Sequence, residues 1–313
     1  MRVKEAPKMA RQQQWVNNEG TRLNVVTEGH PASPAIVLVH GYPDNLTVWD
    51  KVAETLSAQW YVIRYDVRGA GRSDRPARSS AYRLPQLSRD LEAVVDAVIP
   101  DQTFHLAGHD WGSIQSWESV TSGPLQERIQ SYTTISGPCL DHVGYWMRKR
   151  FRQPSVNRAR QLAKQMASSW YIAAFHVPLL APLLWTGFVG KRWDQYLART
   201  EQVTETSDNP WQTADGRDGV RLYRANMLPR LTRPNLRYAR CPVQLIVPEN
   251  DRYVGTQLAE DLNKWVPELY RRDIEAGHWV LLTQPSRIAG FIDQFARRYE
   301  GAVVQTGLEE IRV

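Results

Sequence analysis

Gly108-His-Asp110-Trp-Gly112 sets a carboxylate between two glycines. This is the G-x-S-x-G spacing of a nucleophile elbow, with Asp where Ser is usual. A sharp strand-to-helix turn holds such a side chain out at a sheet edge, and flanking residues bearing side chains would collide with neighbouring backbone. A carboxylate that forms and then discharges an ester needs a base and a group to orient that base. Seven histidines compete for the role. His278 in Glu275-Ala-Gly-His278-Trp follows the last expected strand, and Asp251 in Pro248-Glu-Asn-Asp251-Arg-Tyr-Val follows the strand ending at Val247. The order is therefore nucleophile, acid, base, with Glu249 and Asp141 as rival orienting acids. His40-Gly-Tyr-Pro43 ends the first buried strand, where a loop lends backbone N–H groups to an oxyanion. The expected donors are the amides of Tyr42 and Trp111. His40 is expected to brace that loop, and His109 to point to the opposite side of its strand from the nucleophile.

The elements that must position these groups follow from periodicity. Trp15 to Glu28 alternates around Asn17-Asn18-Glu19-Gly20 and reads as a hairpin. Ala35–Val39 and Tyr61–Ile63 are apolar runs on either side of a helical stretch from about Thr47 to Ala58. Leu84, Leu87, Leu91, Val94, Val95 and Val98 have helical spacing with Pro85 at the start, and Phe104–Ala107 is the next strand. Such alternation implies an α/β class with a mostly parallel sheet covered on both faces. The rhythm stops after Gly137 and resumes at Val243-Gln-Leu-Ile-Val247, followed by a helix from about Thr256 to Val266 and a strand near Leu269 to Glu275. The expected division is an N-terminal tail over 1–13, a core over 14–137 and 237–300, an inserted helical cap over 138–236, and a C-terminal tail over 301–313.

With 313 residues and 42% hydrophobic content, the chain can bury one large core. Its longest apolar candidate, Val177 to Trp185, is interrupted by Pro178 and Pro182, so no membrane span is expected. Residues 1–14 lack an apolar core region and do not read as a secretory signal, which makes a cytoplasmic location the default. Cys139 and Cys241 stand far apart without metal-ligand spacing. The net charge of +6 is spread along the chain, with one local concentration in Arg148, Lys149, Arg150, Arg152, Arg158, Arg160 and Lys164, for which a membrane-surface or oligomer contact is the alternative to a solvated face. No aromatic-interleaved nucleic-acid motif accompanies it, so a solvated basic face is the expectation.

The motifs His40-Gly-Tyr-Pro43, Asp66-Val-Arg-Gly-Ala-Gly-Arg-Ser-Asp74, Gly108-His-Asp-Trp-Gly112, Asp251 and Gly277-His278 stand in the order found in the α/β-hydrolase superfamily. The chain resembles that superfamily, specifically its epoxide hydrolases, over roughly Trp15 to Arg298. Two cap segments sharpen the resemblance. Tyr171-Ile-Ala-Ala-Phe175-His-Val-Pro178 is similar to the lid motif Y-x-x-x-F-Q-x-P, with His176 in place of Gln, and Leu222-Tyr223-Arg-Ala-Asn226 is similar to the second lid motif. The resemblance implies an α/β-hydrolase fold, Asp110 as covalent nucleophile, and Tyr171 and Tyr223 as hydrogen-bond donors to an epoxide oxygen, with Tyr145 a rival for the first tyrosine. It also implies that Pro43 is cis.

The implied partners are a small hydrophobic epoxide, touching Phe175 and Pro43, and water. No metal or organic cofactor, nucleic acid or integral membrane contact is expected, and a homodimer is left open. Phe175, Leu179, Leu180, Leu183, Leu184 and Trp185 suit either a hydrophobic substrate or lid core. Competing readings are a haloalkane dehalogenase with the same triad, a noncatalytic ligand-binding protein of this fold, a serine esterase through Ser113, and a dinucleotide-binding protein through Gly69-Ala-Gly71.

Overall fold

The computed structural model describes residues 11–206, 209–300 and 311–312. The chain starts as an antiparallel hairpin of β1 (Gln12–Asn18) and β2 (Thr21–Glu28), which joins the sheet through β4. β3 (Ala35–Val39), β4 (Tyr61–Tyr65), β5 (Phe104–His109), β6 (Ile129–Ile135), β7 (Val243–Pro248) and β8 (Leu269–Ile274) are mutually parallel. The strand order is β1-β2-β4-β3-β5-β6-β7-β8-β9, with β9 (Ile311–Arg312) antiparallel at the far edge. Every residue of β3, β4 and β5 is buried. That requires cover on both faces of the sheet, as an uninterrupted apolar strand does.

Helices α1 (Asp50–Leu56), α2 (Leu84–Val98) and α3 (Trp111–Thr121) supply this cover, together with α10 (Val280–Thr283) and α11 (Pro285–Tyr299) from the chain's end. α1 packs on α11 and α2 on α3. Between β6 and β7 the described residues are helical or loop: α4 (Leu140–Arg152), α5 (Val156–Ser168), α6 (Trp170–His176), α7 (Leu180–Leu184), a π-helical turn (Trp185–Val189), α8 (Trp193–Thr200) and α9 (Gln212–Thr232). No single helix among the described residues is long and apolar enough to cross a membrane.

Three expectations about elements need correction. β1 begins at Gln12, inside the expected tail of 1–13, because Gln12 and Gln13 pair with Thr27 and Val26 through their backbones, which needs no apolar side chain. Residues 1–10 lie outside the described residues, as do 301–310 and 313 of the expected C-terminal tail; Ile311–Arg312 pair with β8. The helix expected over Thr256–Val266 is two short 3-10 turns, Thr256–Ala259 and Leu262–Lys264. There Trp146 Nε1 donates to the Gln257 carbonyl at 2.9 Å, and Gln165 Oε1 accepts from Gly255 N at 3.1 Å. These tertiary bonds compete with a regular i to i−4 ladder.

Candidate active site

Asp110 stands at the end of β5 with φ 51° and heads α3. A non-glycine residue there is strained, and the surroundings enforce it: the Asp110 N–H donates to Ile135 O at 3.0 Å, and its carbonyl accepts from Ile114 N at 2.9 Å. The flanking glycines are a steric necessity. A Cβ on Gly112 would lie 2.0 Å from Val39 O, and one on Gly108 2.7 Å from Gly112 O.

The β3 loop reaches over the elbow. Tyr42 N donates to Asp110 Oδ1 at 2.7 Å, and the Tyr42–Pro43 peptide bond is cis. His40 braces this loop: its Nε2 accepts from Val67 N at 2.9 Å while Nδ1 donates to Gly41 O at 2.8 Å. Burial holds the His40 pKa below the ordinary histidine range, so the ring is neutral and this tautomer is fixed. Trp111 heads α3 one residue after Asp110 and is buried.

His278 sits between two carboxylates. Its Nδ1 is 2.8 Å from Asp251 Oδ2, and its Nε2 is 3.6 Å from Asp110 Oδ2. Asp251 is held from behind, its Oδ1 accepting from Tyr253 N and Val254 N at 2.8 and 2.9 Å. Burial pushes the Asp251 pKa up, yet the His278 charge and these bonds outweigh it and leave the carboxyl below its usual range. For His278 burial acts downward, while the charge and hydrogen bond of Asp251 and the charge of Asp110 lift it well above the ordinary value. The rival acids are elsewhere: Glu249 is exposed, and Asp141 bonds to Arg230 and Asn235 N.

Tyr223 comes from α9, which is tied to the core at two points. Asp215 accepts from Gly71 N and from Arg75 at 2.9 Å each, and Asn226 accepts from Leu84 N at 2.9 Å while donating to Tyr82 O at 2.8 Å. The loop that receives Asp215 is itself built on Asp66, which accepts from Leu46 N, Arg72 N and Asn24. Tyr171 comes from α6, whose C-terminal carbonyls Phe175 O and Val177 O accept from Arg224 at 2.6 and 3.0 Å. His176 is exposed and donates to Ile172 O at 2.8 Å. Tyr171 and Tyr223 pack edge to face, ring centroids 6.0 Å apart. Burial raises both phenol pKa values, keeping each a proton donor at neutral pH. Tyr145 instead lies against Trp265.

Asp110, His278, Tyr42, Pro43, Tyr171, Phe175 and Tyr223 line one cavity of about 420 Å³. Leu184 and Trp185 also line it, whereas Leu179, Leu180 and Leu183 are exposed on the cap. Ser113 is buried, its hydroxyl donating to Gly137 O at 2.6 Å, and it offers no nucleophile here.

Several residues at this site escaped sequence reasoning. His109 supports the base: its Nε2 donates to the His278 carbonyl at 2.8 Å, a contact between positions 169 residues apart. Tyr253 and Tyr196 share a hydroxyl–hydroxyl bond at the cavity wall, and Trp279 donates to the buried Asp44 at 3.0 Å. Burial raises the Asp44 carboxyl to about 7. Glu201 is buried against Gly277, where an added Cβ would fall 2.2 Å from its Oε2, and burial raises its pKa too. Adjacency to Asp251 and His278 was the one available signal, and it applies to Tyr253 and Trp279 alone.

Known proteins share this architecture. The protein named probable oxidoreductase EphD of Mycobacterium tuberculosis (strain ATCC 25618 / H37Rv) is 33% identical over 290 residues, covering 90% of this chain and 49% of that protein. This chain thus spans about half the length of that relative. Epoxide hydrolase A of the same organism is 26% identical over 243 residues, 77% of this chain and 67% of its own. Among solved structures, a mutant epoxide hydrolase from Bacillus megaterium complexed with its product superposes with a TM-score of 0.74 at 19% identity, covering 90% of this chain and 99% of that one. A family model described as the alpha/beta hydrolase fold matches residues 34–285, and with its sheet order and elbow the chain belongs to the α/β-hydrolase fold family.

Proposed function

We propose that the protein is an epoxide hydrolase that converts an epoxide and water to a vicinal diol through an ester on Asp110. The observation that carries this reading is the placement of Asp110 at one wall of a cavity that also holds His278 and two protonated tyrosines from the cap. Asp110 attacks an epoxide carbon from the side opposite the breaking C–O bond. Tyr171 and Tyr223 hydrogen-bond the departing oxygen and one of them protonates it, giving a hydroxyalkyl ester. His278, oriented by Asp251, then takes a proton from water, and the hydroxide attacks the ester carbonyl of Asp110. The amides of Tyr42 and Trp111 receive the oxyanion; the Tyr42 N–H already lies 2.7 Å from Asp110 Oδ1. Collapse breaks the ester C–O bond; the departing alkoxide takes the proton of the carboxyl group just formed, which releases the diol and restores the Asp110 carboxylate, and the proton on His278 passes to the tyrosinate to reset both groups.

An anionic nucleophile suits displacement at saturated carbon. The Asp110 reading also separates this chemistry from acyl transfer by serine, since Ser113 is committed to Gly137 O. Relatives named epoxide hydrolase support the reading, while the relative named probable oxidoreductase matches 90% of this chain through 49% of its own length.

The test is intact-protein mass spectrometry of His278→Gln mixed with styrene oxide. An adduct with the epoxide's full mass, located on Asp110, is the expected result. No adduct, under conditions where the unaltered protein forms diol, refutes the ester route. Halide release from a haloalkane with no diol from any epoxide would favour the dehalogenase instead.

A further inference from the structure

Between His142 and Trp193 the sequence carries nine lysines and arginines and no aspartate or glutamate. Lys149 and Arg150 reach across to Asp261 and Glu260. Arg152, Arg160, Lys164 and Lys191 are exposed and have no acidic partner among the described residues. Embedded in this basic stretch is an apolar corner. α6 and the helical run Leu180–Thr200 meet at 102°, across a break where Pro178 ends one helix and Leu179 takes φ 64°. The bend turns large apolar side chains outward: Trp170 and Leu179 are 70% exposed, Leu183 66% and Phe188 56%. Trp170 and Leu184 are exposed and also line the cavity that holds Asp110, so the corner surrounds its mouth.

We propose that this corner docks the protein on an anionic lipid bilayer, with α6, α7 and the π-helical turn in the headgroup layer and the cavity mouth facing the membrane. Apolar side chains flanked by cations, on segments too short to span, are what an interfacial anchor needs. A strained, bulky residue at an exposed apex gains little in water and gains burial in acyl chains. Arg160 and Lys164, one helical turn apart on the exposed face of α5, meet lipid phosphates, as do Lys191 and Arg192. Charge selects this occupant over a second copy of the chain. A two-fold contact through the same corner would set each acid-free basic stretch against its equal, which repels. Docking does not depend on the chemistry at Asp110; with that chemistry it would let an apolar substrate enter from the lipid.

The test is flotation of the full chain with vesicles of phosphatidylcholine alone or mixed equally with phosphatidylglycerol. Co-flotation with the anionic vesicles, much weaker binding to neutral ones, and release at about 0.5 M salt are expected. Arg160→Gln/Lys164→Gln should weaken binding about 30-fold, at about fivefold per cation. Leu179→Ser/Leu183→Ser/Phe188→Ser, none of which lines the cavity, should weaken it at least about tenfold while leaving turnover of a water-soluble epoxide and the circular dichroism spectrum unchanged. Absence of binding to anionic vesicles at low salt overturns the proposal. So does a stable dimer in light scattering that the same triple variant dissociates, because the corner would then be covered by a second copy.

Discussion

On the proposed route, Asp251→Asn should separate the two half-reactions. The carboxylate contacts His278 Nδ1 at 2.8 Å, and both side chains are buried. With charge centres about 4 Å apart and an effective dielectric near 20, the attraction between an imidazolium and Asp251 is about 4 kcal/mol. In the ester intermediate, where the ring starts neutral, that charge develops as His278 takes the proton from water, so its loss slows ester hydrolysis roughly a thousandfold. Loss of the fixed tautomer brings the expected decrease to between about 10³-fold and 10⁴-fold. Ester formation by Asp110 uses no proton from His278 and should change less than about threefold. Rapid-quench mass analysis is the assay: the variant should show a full burst of ester on mixing, then slow decay. The pH profile supplies a second readout. Asp251 is among the groups that lift the His278 pKa, so its neutralisation lowers that pKa. Hydrolysis needs neutral His278, and its acid limb should move to lower pH even as the plateau falls. A hydrolysis step slowed less than about tenfold, or both steps slowed alike, would refute this division of labour.

Tyr171→Phe and Tyr223→Phe should each slow ester formation on the order of 10²-fold with hydrolysis of the trapped ester nearly unchanged, as rapid-quench mass analysis can show. The double variant should fall further than either. His142 is stacked on Trp265, ring planes 11° apart, and burial depresses its pKa to about 4. Its stabilising contribution is therefore complete above the unfolded value near 6.5 and is lost as pH falls from there toward 4, up to about 3 kcal/mol. His142→Phe keeps the ring contact and should flatten that part of the stability curve, measured by urea unfolding at pH 7, 6 and about 5; an unchanged slope rules the assignment out.

The elbow was legible because two steric demands leave a trace in residue type. Gly108 and Gly112 must be glycine where backbone oxygens lie 2.7 and 2.0 Å from an added Cβ, and the strand before them must be apolar where both faces are covered. Asp251 and His278 could be placed because each follows a strand at the same sheet edge. The residues that were not legible depend on tertiary approach. His109 reaches the His278 carbonyl across 169 residues of sequence, and Glu201 reaches Gly277 from the end of α8. Likewise the 3-10 turns after Asp251 answer to Trp146 and Gln165 of the cap, partners some ninety to 111 residues earlier. Local periodicity carries no record of such bonds.

On the proposed route, the same geometry would let one imidazole wait through the first step and act in the second. The charge of Asp110 is among the causes that raise the His278 pKa. While Asp110 is a free carboxylate, the protonated form of His278 is favoured, with its Nε2 3.6 Å from Asp110 Oδ2. On the proposed route, alkylation turns Asp110 into a neutral ester and removes that contribution, so burial pushes the His278 pKa down. The ring then loses its proton and becomes a base at the moment when an ester is present to be hydrolysed. Asp251 keeps this fall from going too far, since its charge persists through both steps. The order of events is thus set by which of two carboxylates is consumed, and no movement of the backbone is needed to enforce it.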